Sequence, residues 1–511
     1  MGNKILLIGL DSVEPSLIEE WVDDGSLPNL KAILAGGQYK RIGKPDDIVL
    51  NPWISFFSGL DPGEHGIYHY INWDPIGLQT RRILYDEIDL VPFWHQFDHD
   101  SAPRTIAIDL PMTTPPERLN GIEINGFANH EILVPFYTYP EELDHFVKDE
   151  FGNPCVLPEK YGLHTGSELI KLRDQLIDLA GRKTELTKHF LISEQWDLFM
   201  VVYGEAHRAG HKLWNLSGMV DGEDESVQKT ISAALKEVYQ TCDRSVGELV
   251  RLVGEDTSII VFSLHGMGEN KSRIEIFPEM LSKVVNAVGD LNIAARHSPV
   301  SSFFRNMVPL SWRQSIKQRL PMAVQDSLTA YWRMGGIDWA TTPAFSLVAD
   351  VYGLMRINLA GREAKGIVQP GEEYEWWINT IEKGLRTFVD SDTGRPVVSE
   401  VIRRDEYFSQ GKHFENLPDL FVIWDDSPSC SHREITSAEY GSIPWLTPYH
   451  DPDGRSGNHL SEGFLIAAGE KFPPEKPLPD IKIQDIPATI LDLFGLDTPS
   501  GMIGRSFVQR D

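Results

Sequence analysis

The side chains best suited to chemistry are four histidines and an aspartate that arrive beside glycines. His207 and His211 lie four apart in His207-Arg-Ala-Gly-His211, and His265 lies in Ser263-Leu-His-Gly-Met267. His459 lies in Gly457-Asn-His-Leu-Ser-Glu-Gly463, and Asp11 closes Gly9-Leu-Asp11. Two histidines at i and i+4 can face one metal ion from a helix or a tight loop. Neutral imidazoles suit zinc or iron, and a third from elsewhere completes a three-histidine site with one position open for water. A lone pair at this spacing more often serves packing, so the reading rests on all four histidines together.

These residues need elements that bring them to one place. Short apolar runs predict strands at 4–9, 105–109, 198–203, 258–263, 420–424 and 464–468. They alternate with helical patterns at 15–24, 28–34, 166–191, 226–253 and 486–494. That alternation argues for an α/β fold, a mostly parallel central sheet flanked by helices. In such sheets ligands bind beyond the carboxyl ends of the strands. Asp11 follows the first run, Glu205, His207 and His211 follow the third, and His265 follows the fourth, so metal-competent side chains gather at one sheet edge. The chain reads as a single domain over 1–511, with inserted cap or lid segments at 80–185 and 268–340. Within the second, 311–320 reads as a basic amphipathic surface helix.

The balance of 75 Asp+Glu against 47 Lys+Arg, a formal charge of −28 over 511 residues, argues against nucleic acid or anionic membrane as partners. A small anionic substrate must then be held by local cations, either metal ions or a few placed Arg and Lys. Three widely spaced cysteines without a Cys-x2-Cys pair make neither a disulfide framework nor a thiolate zinc site. The N-terminal residues lack a long apolar leader and no apolar run reaches the ~20 residues of a membrane span, which predicts a cytoplasmic protein without stable membrane association.

Several stretches resemble the alkaline phosphatase superfamily, in its type I phosphodiesterase/nucleotide pyrophosphatase-like branch of phosphohydrolases and phosphomutases. Ile8-Gly-Leu-Asp11 resembles the family's first metal-binding aspartate motif. The stretch from Ser58-Gly59 through Pro62 to His65-Gly66-Ile67 resembles a second family motif. Ser263–Met267 resembles the Ser-Asp-His-Gly-Met motif, and Gly457–Gly463 the last metal-histidine motif. Arg356–Arg362 with Gly366–Gly371, and Asp485–Leu491 with Gly504-Arg505, complete a likeness that covers most of the chain. The resemblance implies an alkaline-phosphatase-like fold, two metal sites roughly 4 Å apart that clamp a phosphoryl group, and a Ser or Thr nucleophile. Position by position, it implies His207, His211 and His459 at the first metal site and Asp11 and His265 at the second.

The chain departs from that pattern at three positions. His207 stands where the family usually has Asp, Leu264 where it has the second-site Asp, and Val49 where it has the nucleophile. No Ser or Thr lies between Lys44 and Ile54; Ser55 and Ser58 are displaced from that position. The pattern favours one well-made divalent site, zinc first with iron or manganese as alternatives, over two, and water activated by the metal over a covalent intermediate. Asp11, His265 or Glu205 then stands as general base or weak second ligand. Glu205 reads equally as a carboxylate orienting a ligand histidine or as a solvated loop residue. Asn51 is placed to donate to a substrate oxygen, His65 reads as ordering its own loop, and Trp53 as wall or core.

The leading reading is a metal-dependent hydrolase or group-transfer enzyme acting on a phosphate, phosphodiester or sulfate-type ester. A repurposed mononuclear lyase, transferase or redox enzyme, and a non-catalytic binding protein on the same scaffold, are the alternatives.

Overall fold

The computed structural model describes residues 3–45, 47–83, 90–97, 102–128, 135–155, 157, 162, 164–215, 224–289, 337–428, 433–445 and 454–508. In chain order the elements up to residue 289 begin with β1 (Lys4–Leu10), α1 (Pro15–Asp23), α2 (Pro28–Leu34), β2 (Gly37–Ile42), α3 (Pro52–Ser58) and α4 (Pro62–His65). There follow β3 (Ile71–Asp74), β4 (Gln79–Arg82), β5 (Thr105–Ile108), β6 (Gly121–Asn125), β7 (Tyr137–Tyr139) and α5 (Leu143–Phe151). Next come α6 (Gly166–Ser193), β8 (Leu198–Tyr203), α7 (Glu205–Leu213), α8 (Glu225–Val250), β9 (Thr257–Ser263), β10 (Gly266–Glu269) and α9 (Phe277–Gly289).

Eight strands form the central sheet in the order β2, Gly463–Ala468, β9, β1, β8, β5, β6, β7. The five from β9 to β6 run parallel. Gly463–Ala468 is antiparallel to both of its neighbours, and β7 is antiparallel to β6. Successive side chains of β1 enter opposite layers, as the strand's two-residue period requires. Leu6, Ile8 and Leu10 pack with Ile18, Leu30, Leu186 and Val246. Ile5 and Leu7 pack with Trp53, Phe56 and Ile490 on the other face. Both faces are covered, so the central strands read as unbroken apolar runs.

The expected mostly parallel α/β sheet is therefore present, with two differences. The run at Leu420–Trp424 lies outside this sheet, in a second, antiparallel one of order Ala344–Ser346, Gly353–Ile357, Leu420–Trp424, Val398–Arg403. α9 and the helix Glu372–Leu385 pack on that sheet. An apolar run carries no information on strand direction or partner, which the contacts of the whole chain decide. Of the stretch 80–185, residues 105–108, 121–125 and 137–139 supply three central strands, so this portion is sheet rather than cap. The expected helix at 311–320 lies outside the described residues. Among the described residues no helix is long and apolar enough to cross a membrane.

At the carboxyl edge β1 ends at Leu10 with Asp11 directly after it, β8 turns into α7 through Gly204, and β9 leads by His265 into β10. β10 pairs antiparallel with Gly457–Leu460 and sets Met267 opposite His459. This strand pair lies hard against α7. A Cβ on Gly210 would stand 2.6 Å from the Met267 side chain, and one on Gly457 would stand 2.3 Å from the Gly210 carbonyl oxygen. Only glycine at these positions permits that approach.

His65 supports the turn after α4. Its Nδ1 accepts from the Ile67 amide at 3.0 Å, so Nε2 carries the proton and donates to Ser55 Oγ at 3.1 Å. Burial, reinforced by His413, lowers its pKa to about 3. The unfolded chain therefore takes up a proton on this ring below about pH 6.5 that the folded one refuses until about pH 3. Stability should fall as pH falls through that window, and His65→Gln should flatten this part of the curve in denaturant titrations at a series of pH values.

Candidate metal centre

α7 is a helix, so its two histidines share a face as the i, i+4 spacing requires. The rings of His207, His211 and His459 form a near-equilateral triangle with centroid separations of 4.8, 4.7 and 4.8 Å. One nitrogen from each lies within 4.8 Å of the others. His211 and His207 are buried and His459 half-buried.

The hydrogen-bond partners decide which nitrogen each ring presents. His207 Nδ1 lies 2.7 Å from Asp11 Oδ2; a carboxylate accepts, so Nδ1 donates. His211 Nδ1 lies 3.0 Å from the Gly457 carbonyl oxygen and likewise donates. His459 Nδ1 lies 3.0 Å from Ser12 Oγ and 3.1 Å from His265 Nε2, and Ser12 Oγ donates to the Gly266 carbonyl at 3.0 Å. A neutral imidazole has one N–H. In His207 and His211 that hydrogen is on Nδ1, which leaves Nε2 as the nitrogen with the lone pair. His207 Nε2 and His211 Nε2 are 2.9 Å apart, where two lone pairs repel unless a proton or a metal ion joins them. Two nitrogens each about 2.0–2.1 Å from one zinc ion stand close to that distance. Burial, with His207, His265 and Arg455 adding to it, pushes the His459 pKa well below its ordinary value and so favours the neutral, ligating form. The donor set fits one divalent ion.

The other expected residues fall elsewhere. Asp11 touches the trio from behind. One oxygen meets His207 Nδ1 at 2.7 Å and the other accepts from Trp53 Nε1 at 2.8 Å, so Asp11 is placed to orient a histidine. His265 lies outside the triangle, its ring 4.8 Å from that of His459 and 6.2 Å from that of His207. Its Nε2 is 3.1 Å from His459 Nδ1. Glu205 is neither solvated nor turned to the imidazoles. It is buried and paired with Lys183 at 3.2 Å. Asn51 precedes α3 in left-handed backbone with φ 43°, and its side chain makes no cap bond.

The neighbours of the missing groups are equally definite. Leu264 is buried in the apolar layer with Trp53, Phe262 and Leu465. Ser55 Oγ faces His65, and Ser58 Oγ donates to the Ile54 carbonyl.

Sequence reasoning missed Ser12 and assigned Trp53 only to wall or core. Ser12 is fully buried with φ 54°, a conformation costly for a residue with a Cβ. Its only signal in the sequence is a hydroxyl directly after the strand-end aspartate. Removing partners that fix a ligand histidine lowers metal affinity by about 10–100-fold. Ser12→Ala and Asp11→Asn should each do so in competition with a chromophoric chelator, with far-UV circular dichroism unchanged.

The chain matches the sequence model of the family described as Type I phosphodiesterase / nucleotide pyrophosphatase over residues 5–436. A search of curated proteins finds no match. Among solved structures it is similar to phosphonoacetate hydrolase from Sinorhizobium meliloti 1021 in complex with phosphonoformate. The identity is 14% over 96% of this chain and 95% of that one, with a TM-score of 0.51. It is also similar to human ectonucleotide pyrophosphatase/phosphodiesterase 5, at 13% identity over 99% of this chain and 97% of that one, with a TM-score of 0.45.

Proposed function

The chain belongs to the type I phosphodiesterase/nucleotide pyrophosphatase family, within the alkaline phosphatase superfamily, and we propose that it is a hydrolase of small anionic esters built on one divalent ion held by His207, His211 and His459. Family membership supports phosphoester hydrolysis. The single-ion reading is carried by one observation: His207, His211 and His459 each bring one ring nitrogen within 4.8 Å of the others. An all-imidazole donor set suits zinc first, with iron or manganese as alternatives. A divalent ion there supplies Lewis-acid polarisation of a phosphoryl oxygen and activation of water.

The remaining work falls to this chain's own side chains. Asp11 holds the His207 proton at Nδ1, and Trp53 fills the other carboxylate oxygen, keeping Asp11 from swinging forward as a ligand. Ser12 Oγ meets His459 Nδ1. His265, beside His459 but outside the trio, is the imidazole placed for proton transfer. The substrate is a phosphate, phosphodiester or sulfate-type ester. Its charge must be met locally, because the chain as a whole carries −28.

Leu264 favours a second reading in which the chemistry has changed to a lyase, transferase or redox step. Its side chain is part of the apolar core at the position of the family's second-site Asp, so the carboxylate for a two-ion clamp is missing. Metal content by mass spectrometry separates the readings when combined with assays on aryl phosphate, bis-aryl phosphate and aryl sulfate esters. One ion per chain, lost in His207→Ala and kept in His265→Ala, with chelator-sensitive turnover of at least one ester, is the expected result. One ion without turnover of any ester would move the assignment to the second reading, and two ions per chain would restore the two-ion clamp.

A further inference from the structure

Behind the histidines lies a cluster of three charged side chains with no exposure to solvent. Lys183, on α6, is fully buried, and Asp109 and Glu205 are each 1% exposed. Lys183 Nζ lies 3.2 Å from Asp109 Oδ2 and 3.2 Å from Glu205 Oε1, and it donates to the Val202 carbonyl at 2.9 Å. Asp109 follows β5 with φ 54° and accepts from the amides of Phe127 and Ala128, just beyond β6. One ammonium thus joins the carboxyl ends of β5 and β8, the loop after β6 through Asp109, and the first residue of α7. Against burial, which disfavours its charge, Glu205 and Asp109 hold the Lys183 pKa above its ordinary value.

A buried group of three charges is an expensive way to fill a core, since apolar side chains of similar volume are often as stable or more so. Its position suggests what it secures. Glu205 is the first residue of the helix that supplies two of the three converging imidazoles, whereas the third comes from the strand Gly457–Leu460, whose pair with β10 packs on the same helix. A metal centre tolerates displacement of its ligands by only about half an ångström. We propose that Lys183 and Glu205 are positioning residues of the metal centre: their buried contact pins the first turn of α7 to the ends of β5 and β8 and so sets where His207 and His211 stand relative to His459. The ammonium does this where a hydrophobic contact would not, because it is held by three oxygens from different elements at fixed distances and cannot slide. The inference rests on the three-histidine reading and adds the residues that hold its geometry.

The test uses the full chain with cobalt(II) as a spectroscopic probe and zinc in chelator competition. Its variants are Glu205→Gln, Lys183→Met, and the double variant Lys183→Met/Glu205→Leu. The double variant removes the ammonium and one carboxylate together and leaves Asp109 on the amides of Phe127 and Ala128, which keeps the test decisive where a single variant fails to fold. Every variant that folds should show zinc affinity lowered by about 10-fold or more, on the scale of lost ligand support. Its cobalt(II) visible spectrum should be altered, while the melting temperature of the metal-free double variant stays near that of the wild type. Wild-type affinity and an unchanged cobalt spectrum in the double variant would overturn the inference, leaving the cluster a stabilising feature of the fold. A wild-type chain that takes up neither ion would overturn the three-histidine reading itself, and the inference with it.

Discussion

The Nδ1 hydrogen bonds of His207, His211 and His459 are the constraint on which the rest of the site depends. An imidazole can present either nitrogen, and its rotation about χ2 is otherwise shallow. Here a carboxylate and a main-chain carbonyl take the Nδ1 protons of His207 and His211, a hydroxyl meets His459 Nδ1, and one nitrogen of each ring lies within 4.8 Å of the others. Two of the three oxygens come from adjacent residues after β1, Asp11 and Ser12, and the third from Gly457, far along the chain in the strand paired with β10. The sheet edge, α7 and that strand pair must therefore be in register before the ring contacts are made. The close passage of Gly210 beneath Met267 and Gly457 is the steric side of the same requirement.

Charge is handled twice, in different ways. Overall the chain is strongly acidic, yet the described acids nearest the histidines are occupied: Asp11 by His207 and Trp53, Glu205 and Asp109 by Lys183. An unoccupied carboxylate at this edge would compete for the ion or repel an anionic substrate. In the second lobe Arg356 pairs with Glu363, while Arg362 and Arg404 meet Asp419. Those arginines are met by carboxylates within the fold.

Leu264 marks one of the places where the chain departs from the family resemblance. In the resemblance its position belongs to a metal-binding aspartate. In this chain the side chain joins Trp53 and Phe262 in the layer under the sheet, and Trp53 in turn caps Asp11. The same aromatic residue therefore borders the place of one lost carboxylate and restrains the carboxylate that remains. Val49 lies half-buried on the approach to α3, its amide donating to Tyr352 Oη. In the resemblance these two positions belong to the second ion and the nucleophile oxygen.

The sequence by itself determined the α/β class, the strands 198–203 and 4–9 nearly to the residue, the helical spacing of His207 and His211, and the gathering of Asp11, His207, His211 and His265 at one sheet edge. These are legible because burial on both faces writes an apolar run, because a helix writes its period, and because a strand end places whatever follows it. The tertiary structure alone decided which partner each gathered residue meets. The resemblance put Asp11 and His265 together at one site, whereas in the fold Asp11 meets His207 and Trp53 and His265 meets His459. Glu205 read equally as a carboxylate orienting a histidine or as a solvated loop residue and is buried on Lys183, and Ser12, barely visible in the sequence, meets His459. Leu420–Trp424 was legible as a strand but not as a member of a second sheet. The reason is common to all of these: a residue's type and local spacing report which way the backbone carries it, whereas its hydrogen-bond partner is an atom up to 447 residues away, brought into reach only when both layers and the β10 strand pair have closed.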